Sequence, residues 1–180
     1  MKFARPGMSE SALVSHFEYY TSQNGSGRAA YVPVCASGDA GLVIHYTSNE
    51  HLLKPDSLVL FDAGCEYSGY ASDITRTFPV NGRFTDPQKD LYQAVLNTNK
   101  ACIKLCSEDQ AYSMNDIHRA SCKLLGQELK QIGFDLGYGV LEKTLYPHFL
   151  CHPIGMDLHD TMSFQRSSRC GLIFFKRDTG

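Results

Sequence analysis

Residues 57–79, SLVLFDAGCEYSGYASDITRTFP, read as two strands joined by a tight turn. Leu58, Val59, Leu60 and Phe61 form an apolar, β-favouring run, and Ile74, Thr75, Thr77 and Phe78 supply a second. Between them, Glu66-Tyr67-Ser68-Gly69 carries turn chemistry. With Tyr67 and Ser68 as the two loop residues, Glu66 pairs with Gly69, and counting outward sets Asp62 opposite Asp73. Directly opposed residues of an antiparallel pair share a face, with Cβ atoms about 4.5–5.5 Å apart. Two carboxylates so placed repel one another unless a cation lies between them. A slip of one residue in the turn would send them to opposite faces, each solvated. The spacing therefore leaves a metal pair and two surface carboxylates both open.

The rest of the chain sets the limits. It has 180 residues, enough for an ordinary domain with a real core. Hydrophobic residues make up 43% and the formal net charge is −2, which fits a globular protein and argues against a nucleic-acid-binding surface. No apolar run approaches the ~20 residues of a membrane span. The start, Met1-Lys2-Phe3-Ala4-Arg5-Pro6, has no signal-peptide core and does not read as a transit peptide. The 7 cysteines include no CxxC pair, and thiols in a reducing compartment fit this better than a disulfide scaffold.

Outward from the hairpin, residues 9–20 read as an amphipathic helix with Leu13, Phe17 and Tyr20 on one stripe. Residues 29–36, AAYVPVCA, read as a strand that Pro33 makes an edge or an irregular segment. Leu42-Val43-Ile44-His45-Tyr46 reads as a short strand carrying a histidine. Asp86 as N-cap and Pro87 at the first helical position open a helix whose apolar stripe is Leu91, Ala94, Val95, Thr98, Cys102 and Leu105. A second helix runs over residues 113–132, with Ser113 and Asp116 as a capping box and Gly133 as its stop. Its buried face is Ile117, Ala120, Leu124, Leu125 and Leu129.

Residues 146–160, YPHFLCHPIGMDLHD, hold His148, His152 and His159, three of the chain's 7 histidines. Imidazole is the commonest neutral metal ligand and the natural proton carrier near neutral pH. Pro147, Pro153 and Gly155 are equally consistent with a surface loop of solvated histidines, and no HExxH pair marks a zinc helix.

Taken together, these segments resemble a known family. Asp62 in FDAG, Asp73 in SDITRTFPVNGRF, His45 in VIHY and the HxxxHxxGxDxHD pattern over 148–160 resemble the aminopeptidase P family. This is the Xaa-Pro group of the pita-bread metallopeptidases of class M24, which also include prolidases and methionine aminopeptidases. The resemblance covers roughly residues 4–161 and looks most like the mitochondrial, intermediate-cleaving branch. It implies an α+β pita-bread fold, a curved antiparallel sheet covered by helices, here incomplete at its C-terminal strands. It implies two divalent ions, by resemblance manganese. Carried over by motif, Asp62, Asp73 and His152 resemble metal ligands, whereas His45, His148 and His159 resemble histidines that contact substrate and the tetrahedral intermediate. Carboxylates are hard ligands suited to manganese. The implied partners are peptides with Xaa-Pro N-termini, with no nucleic acid and no membrane; a homo-oligomer is compatible with the family. The implied compartment is the mitochondrion, with the cytoplasm as the alternative.

The family pattern also supplies two glutamates downstream of the histidine segment, and no glutamate follows Glu142 here. Residues 162–180 match nothing expected of the family, and Arg166, Arg169, Lys176 and Arg177 face only Asp178. Residues 1–161 therefore read as an incomplete catalytic domain and 162–180 as a divergent tail, with a separate N-terminal domain also absent. Three functions stay open: an Xaa-Pro aminopeptidase whose chain is incomplete and inactive alone, an inactive pita-bread module that binds a protein partner, and a related dipeptidase or methionine aminopeptidase. The DITRTFPVNG string favours the Xaa-Pro branch.

Overall fold

The computed structural model describes residues 2–107 and 112–161. The proposed tail, 162–180, and Asp178 within it lie outside the described residues. Two compact units form, one from Met1–Phe84 with Ile154–Asp160, the other built on Thr85–Pro153.

The first unit begins with helix α1, Glu10–Gln23, capped by the Ser9 side chain. Strands β1 (Arg28–Ala29) and β2 (Val34–Ser37) follow. The strand expected over 29–36 is thus broken around Pro33, which cannot donate to a ladder. Next come β3 (Leu58–Ala63), β4 (Cys65–Tyr67), β5 (Tyr70–Ala71) and β6 (Ile74–Pro79). They make two three-stranded antiparallel sheets, ordered β2-β3-β6 and β1-β4-β5. On one face of β2-β3-β6, Cys35, Val59 and Phe78 join Leu13 of α1, Leu53 and Val80 in a core. Phe17 of α1 meets Phe61 edge-on at 5.8 Å. The other face carries Val34, Ala36 and Leu60, packed with Ala40 and Tyr46.

The segment Leu42–Tyr46 is not a strand. A 3-10 turn, Gly38–Leu42, runs into an irregular loop, and His45 adopts a left-handed backbone with φ 57°. Among the described residues its β-branched side chains find no partner strand, and Leu42, Val43 and Ile44 are 85%, 57% and 52% exposed.

The second unit pairs two long helices, α2 (Asp86–Leu105) and α3 (Met114–Gln131). The N-cap of α2 is Thr85, not Asp86: its hydroxyl accepts from Gln88 N while the Gln88 side chain accepts from Thr85 N. That reciprocal box satisfies two helix-end donors, which Asp86 could not do from one residue further in. Only Ala94, Thr98 and Cys102 of the expected α2 stripe are buried; Leu91 and Val95 are exposed. On α3 the Ser113–Asp116 box and the Gly133 stop (φ 93°) are as expected. Ile117 and Leu129 are buried there, joined by Ser121 and Cys122. Cys122, Leu129, Leu141 and Tyr146 form this unit's core. Among the described residues no helix is long and apolar enough to cross a membrane.

Candidate metal centre

The hairpin turns at Ser68-Gly69, both with positive φ (51° and 84°), so Tyr67 pairs with Tyr70 and Glu66 with Ala71. Two positive φ values in a two-residue loop are the requirement of a type I′ turn, whose twist matches the strands. The register is therefore two residues away from one that turns at Tyr67-Ser68. Asp62 lies opposite Thr75, not Asp73. Because the shift is even, Asp73 stays on the same face as Asp62, as its diagonal neighbour, and not across the sheet. That face is the one opposite α1.

Between Asp62 and Asp73 the ladder changes sheets. Ser72 N donates to Cys65 O (3.1 Å), and Cys65 N donates to Ser72 Oγ (3.0 Å). Gly64 sits in this crossing with no room for a side chain: a Cβ there would lie 1.6 Å from the Ser72 carbonyl oxygen and 3.0 Å from the Tyr31 ring. The glycine thus brings Tyr31 and the two aspartates to one place.

Tyr31 is the residue that sequence reasoning missed. Its hydroxyl contacts Asp62 Oδ1 and lies 2.9 Å from Asp73 Oδ1. A tyrosine ahead of an irregular Pro33 segment carries no spacing signal that would have singled it out. Burial first, then the hydrogen bonds to both aspartates, push the Tyr31 phenol far above its ordinary range. The hydroxyl has one proton, and two carboxylates converge on it. One of the two contacts lacks a proton of its own when both aspartates are ionised. A cation placed there would attract all three oxygens at once. The donor set, two carboxylates and a phenol, is hard and fits a divalent metal of the manganese kind.

The histidines divide between the two units. His45 is exposed in the loop after Leu42. His159 is exposed in the segment 154–160, which belongs to the first unit and is tied to β5 by Ala71 N donating to Gly155 O at 2.9 Å. His148 and His152 belong to the second unit. There Tyr146 anchors the segment: its hydroxyl lies 3.1 Å from Ser121 Oγ on α3, and its ring meets His148 edge-on at 4.7 Å. Phe149 stacks on His118 of α3 at 4.4 Å. His152 Nδ1 donates to Pro153 O, and His148 Nδ1 to Phe149 O, each at 3.0 Å. A carbonyl only accepts, so each ring carries a proton on Nδ1, which in the neutral tautomer leaves the lone pair on Nε2. That is the tautomer an Nε2 metal ligand needs. Among the described residues, no three His, Cys, Asp or Glu side chains gather as a ready metal cage.

The chain matches the model of metallopeptidase family M24 over residues 1–176. It is 48% identical over 148 residues to intermediate cleaving peptidase 55 of Schizosaccharomyces pombe, covering 82% of this chain and 30% of that protein. It is 45% identical over 158 residues to Xaa-Pro aminopeptidase 3 of Dictyostelium discoideum, covering 87% of this chain and 30% of that one. Its fold superposes on the crystal structure of Icp55 from Saccharomyces cerevisiae with a TM-score of 0.86 and 43% identity, over 93% of this chain and 43% of that one. The chain thus spans about a third of the length of the curated relatives it matches.

Proposed function

Because this chain belongs to metallopeptidase family M24, we propose that its protein is an Xaa-Pro aminopeptidase, which removes the N-terminal residue of peptides with proline in second position. The observation that carries the reading is the convergence of Asp62 and Asp73 on one Tyr31 hydroxyl. In this reading Asp62, Asp73 and His152 are the metal ligands this chain contributes. Two divalent ions, manganese by resemblance, would supply an acidified water and a polarised scissile carbonyl when bound. Tyr31 orients the two carboxylates through its hydrogen bonds. His45, His148 and His159 face the substrate and stabilise developing negative charge on the carbonyl oxygen. For His148 this role requires the doubly protonated ring, because Nδ1–H is already committed to Phe149 O. The proposed site of action is the mitochondrion, with Xaa-Pro peptides as partners.

A second reading, an inactive module that binds a protein partner, draws on the short ligand set: no glutamate follows Glu142. In this reading the polypeptide contributes Asp73 as the aspartate between the two ions, and with no glutamate after Glu142 it lacks the family's second acidic bridge and its general base. Loss of general-base catalysis by itself costs about 10²–10⁴-fold. The test is a manganese titration, followed by electron paramagnetic resonance, and a proline-peptide assay with a chelator control. Manganese binding that weakens in Asp73→Asn supports the metal reading, and binding that ignores the substitution overturns it. Chelator-sensitive turnover within about tenfold of a complete relative would overturn the expectation that the chain alone is inactive.

A further inference from the structure

Glu10 is a charged side chain with no exposed surface, far in sequence from every residue assigned a role above. At the first turn of α1 a glutamate is expected for helix polarity alone. Here it does more. Oε1 accepts from Ser37 N at 2.7 Å and Ser37 Oγ at 2.6 Å. Oε2 accepts from Tyr46 Oη at 2.9 Å and His51 N at 3.0 Å. A carboxylate offers about four lone-pair sites, and all four are used. Oε1 thus holds the end of β2, and Oε2 holds the loop that carries His45. Tyr46 Oη in turn accepts from Glu50 N at 3.3 Å, and Glu10 N donates to His51 O at 2.9 Å.

The loop needs such anchoring. His45 (φ 57°) and Asn49 (φ 52°) both have left-handed backbones. For residues other than glycine this conformation costs about 1–3 kcal/mol and persists only where the surroundings over-determine it. Asn49 has its own constraint: its side chain accepts from Cys35 N at 2.7 Å and donates to Pro33 O at 2.9 Å. Between Ser37 and Asn49, the carboxylate's contact with Tyr46 is the tie next to His45.

We propose that Glu10 is a positioning residue for His45: its buried carboxylate fixes the 43–51 loop through Tyr46 and His51, and so sets where the imidazole is presented. The functional part of this claim rests on the reading of His45 as a substrate-contacting group. Glutamine cannot take over. Each carboxylate oxygen accepts from one backbone N–H that cannot reverse, so whichever way the amide is turned, its NH2 meets a donor.

The test uses the 180-residue chain with labelled histidine, its His45 ring signal assigned by loss in His45→Ala. Glu10→Gln and Tyr46→Phe are both expected to shift the His45 signal. Both are expected to speed amide exchange at residues 45–51 by about tenfold or more, the factor for one lost hydrogen bond to a charged group. Ser37→Ala, which removes a donor on the sheet side only, is expected to leave the His45 signal in place. Tyr46→Phe removes the hydroxyl's contacts with Glu10, Glu50 N and His51 Nδ1 but no charge, so it carries the test even if Glu10→Gln does not fold. An unchanged His45 signal and unchanged loop exchange in Tyr46→Phe overturn the proposal. Addition of an Xaa-Pro peptide separates the two claims. A wild-type His45 signal that ignores the peptide sinks the substrate reading and leaves the positioning result standing. A signal that responds in wild type and is weakened about tenfold or more in Glu10→Gln supports both.

Discussion

Two groups of carboxylates in the first unit show opposite solutions to the same problem. Glu10 is fully buried and fully satisfied, one charge facing four donors. Asp62 and Asp73 are half-buried, and the two of them converge on a hydroxyl with one proton. The first arrangement is closed: nothing further is needed to hold the charge. In the second, two carboxylates share one hydroxyl, an arrangement that a cation would complete if the proposed metal reading holds. A carboxylate whose every lone pair is taken by the protein is part of the scaffold. A pair that shares one tyrosine hydroxyl is a candidate site. This contrast, and not acidity or burial alone, is what sets the proposed metal site apart from the buried Glu10.

The closed site should be the more damaging one to break. Glu10→Ala leaves Ser37 N and His51 N without their carboxylate acceptor, and the expected loss is about 2–6 kcal/mol, from about 1–3 kcal/mol for each of the two donors left unsatisfied. Urea unfolding measures it. A loss below about 1 kcal/mol would mean the donors find water and the site is not closed.

Gly64→Ala strikes the crossing that assembles the open site. Its Cβ would lie 1.6 Å from a backbone oxygen, so backbone must move. The expected loss is about 3 kcal/mol, the upper part of the overpacking range. Because Ser72 lies next to Asp73, manganese affinity should fall with stability. A variant that is destabilised yet binds metal normally would show that the aspartates are held together without this crossing.

Tyr31→Phe sharpens the comparison from inside the open site. It removes a hydroxyl bonded to a carboxylate, worth about 1.5–3 kcal/mol. In the metal-free protein the loss should be at the low end of that range, since the hydroxyl serves two acceptors with one proton. The same urea series, with chelator present, gives the value.

How much of this was legible depends on what each residue tells its neighbours. Leu58–Phe61 and Ile74–Phe78 announce strands through β-branched and aromatic side chains, and both strands formed. The register was read two residues off because Ser68, a non-glycine with positive φ, shares the turn with Gly69. Gly69 in the second loop position is the mark of a type I′ turn and would have corrected it. The even slip preserved the shared face, so the aspartates still come together. The Leu42–Ile44 run failed as a strand because β-propensity reports fit to a pleated surface, and no neighbouring strand supplies one. Tyr31 and Glu10 were invisible for a different reason. Each acts through contacts to residues about thirty or more positions away, which no local pattern encodes.

The smallest effect, and the most diagnostic, belongs to Asp73→Asn. In chelator the substitution removes a charge that repels Asp62 on the same face. As diagonal neighbours the two charges repel less than a directly opposed pair, so the variant should be neutral or more stable than wild type by less than about 1 kcal/mol. With manganese the sign should reverse. A ligand that binds only the folded state stabilises it by RT ln(1 + [L]/Kd), about 2.7 kcal/mol at a hundredfold excess over Kd. Wild type gains that term and the asparagine variant loses most of it, because an amide oxygen is a weaker ligand than a carboxylate for a hard cation. Glu10 offers the control: no free lone pair remains there, so manganese should not alter the cost of its substitution. The measurement is two unfolding curves per protein, one in chelator and one in excess manganese. If Asp73→Asn changes stability with the same sign in both, the two aspartates are surface carboxylates that happen to share a tyrosine, and the open site is not a metal centre.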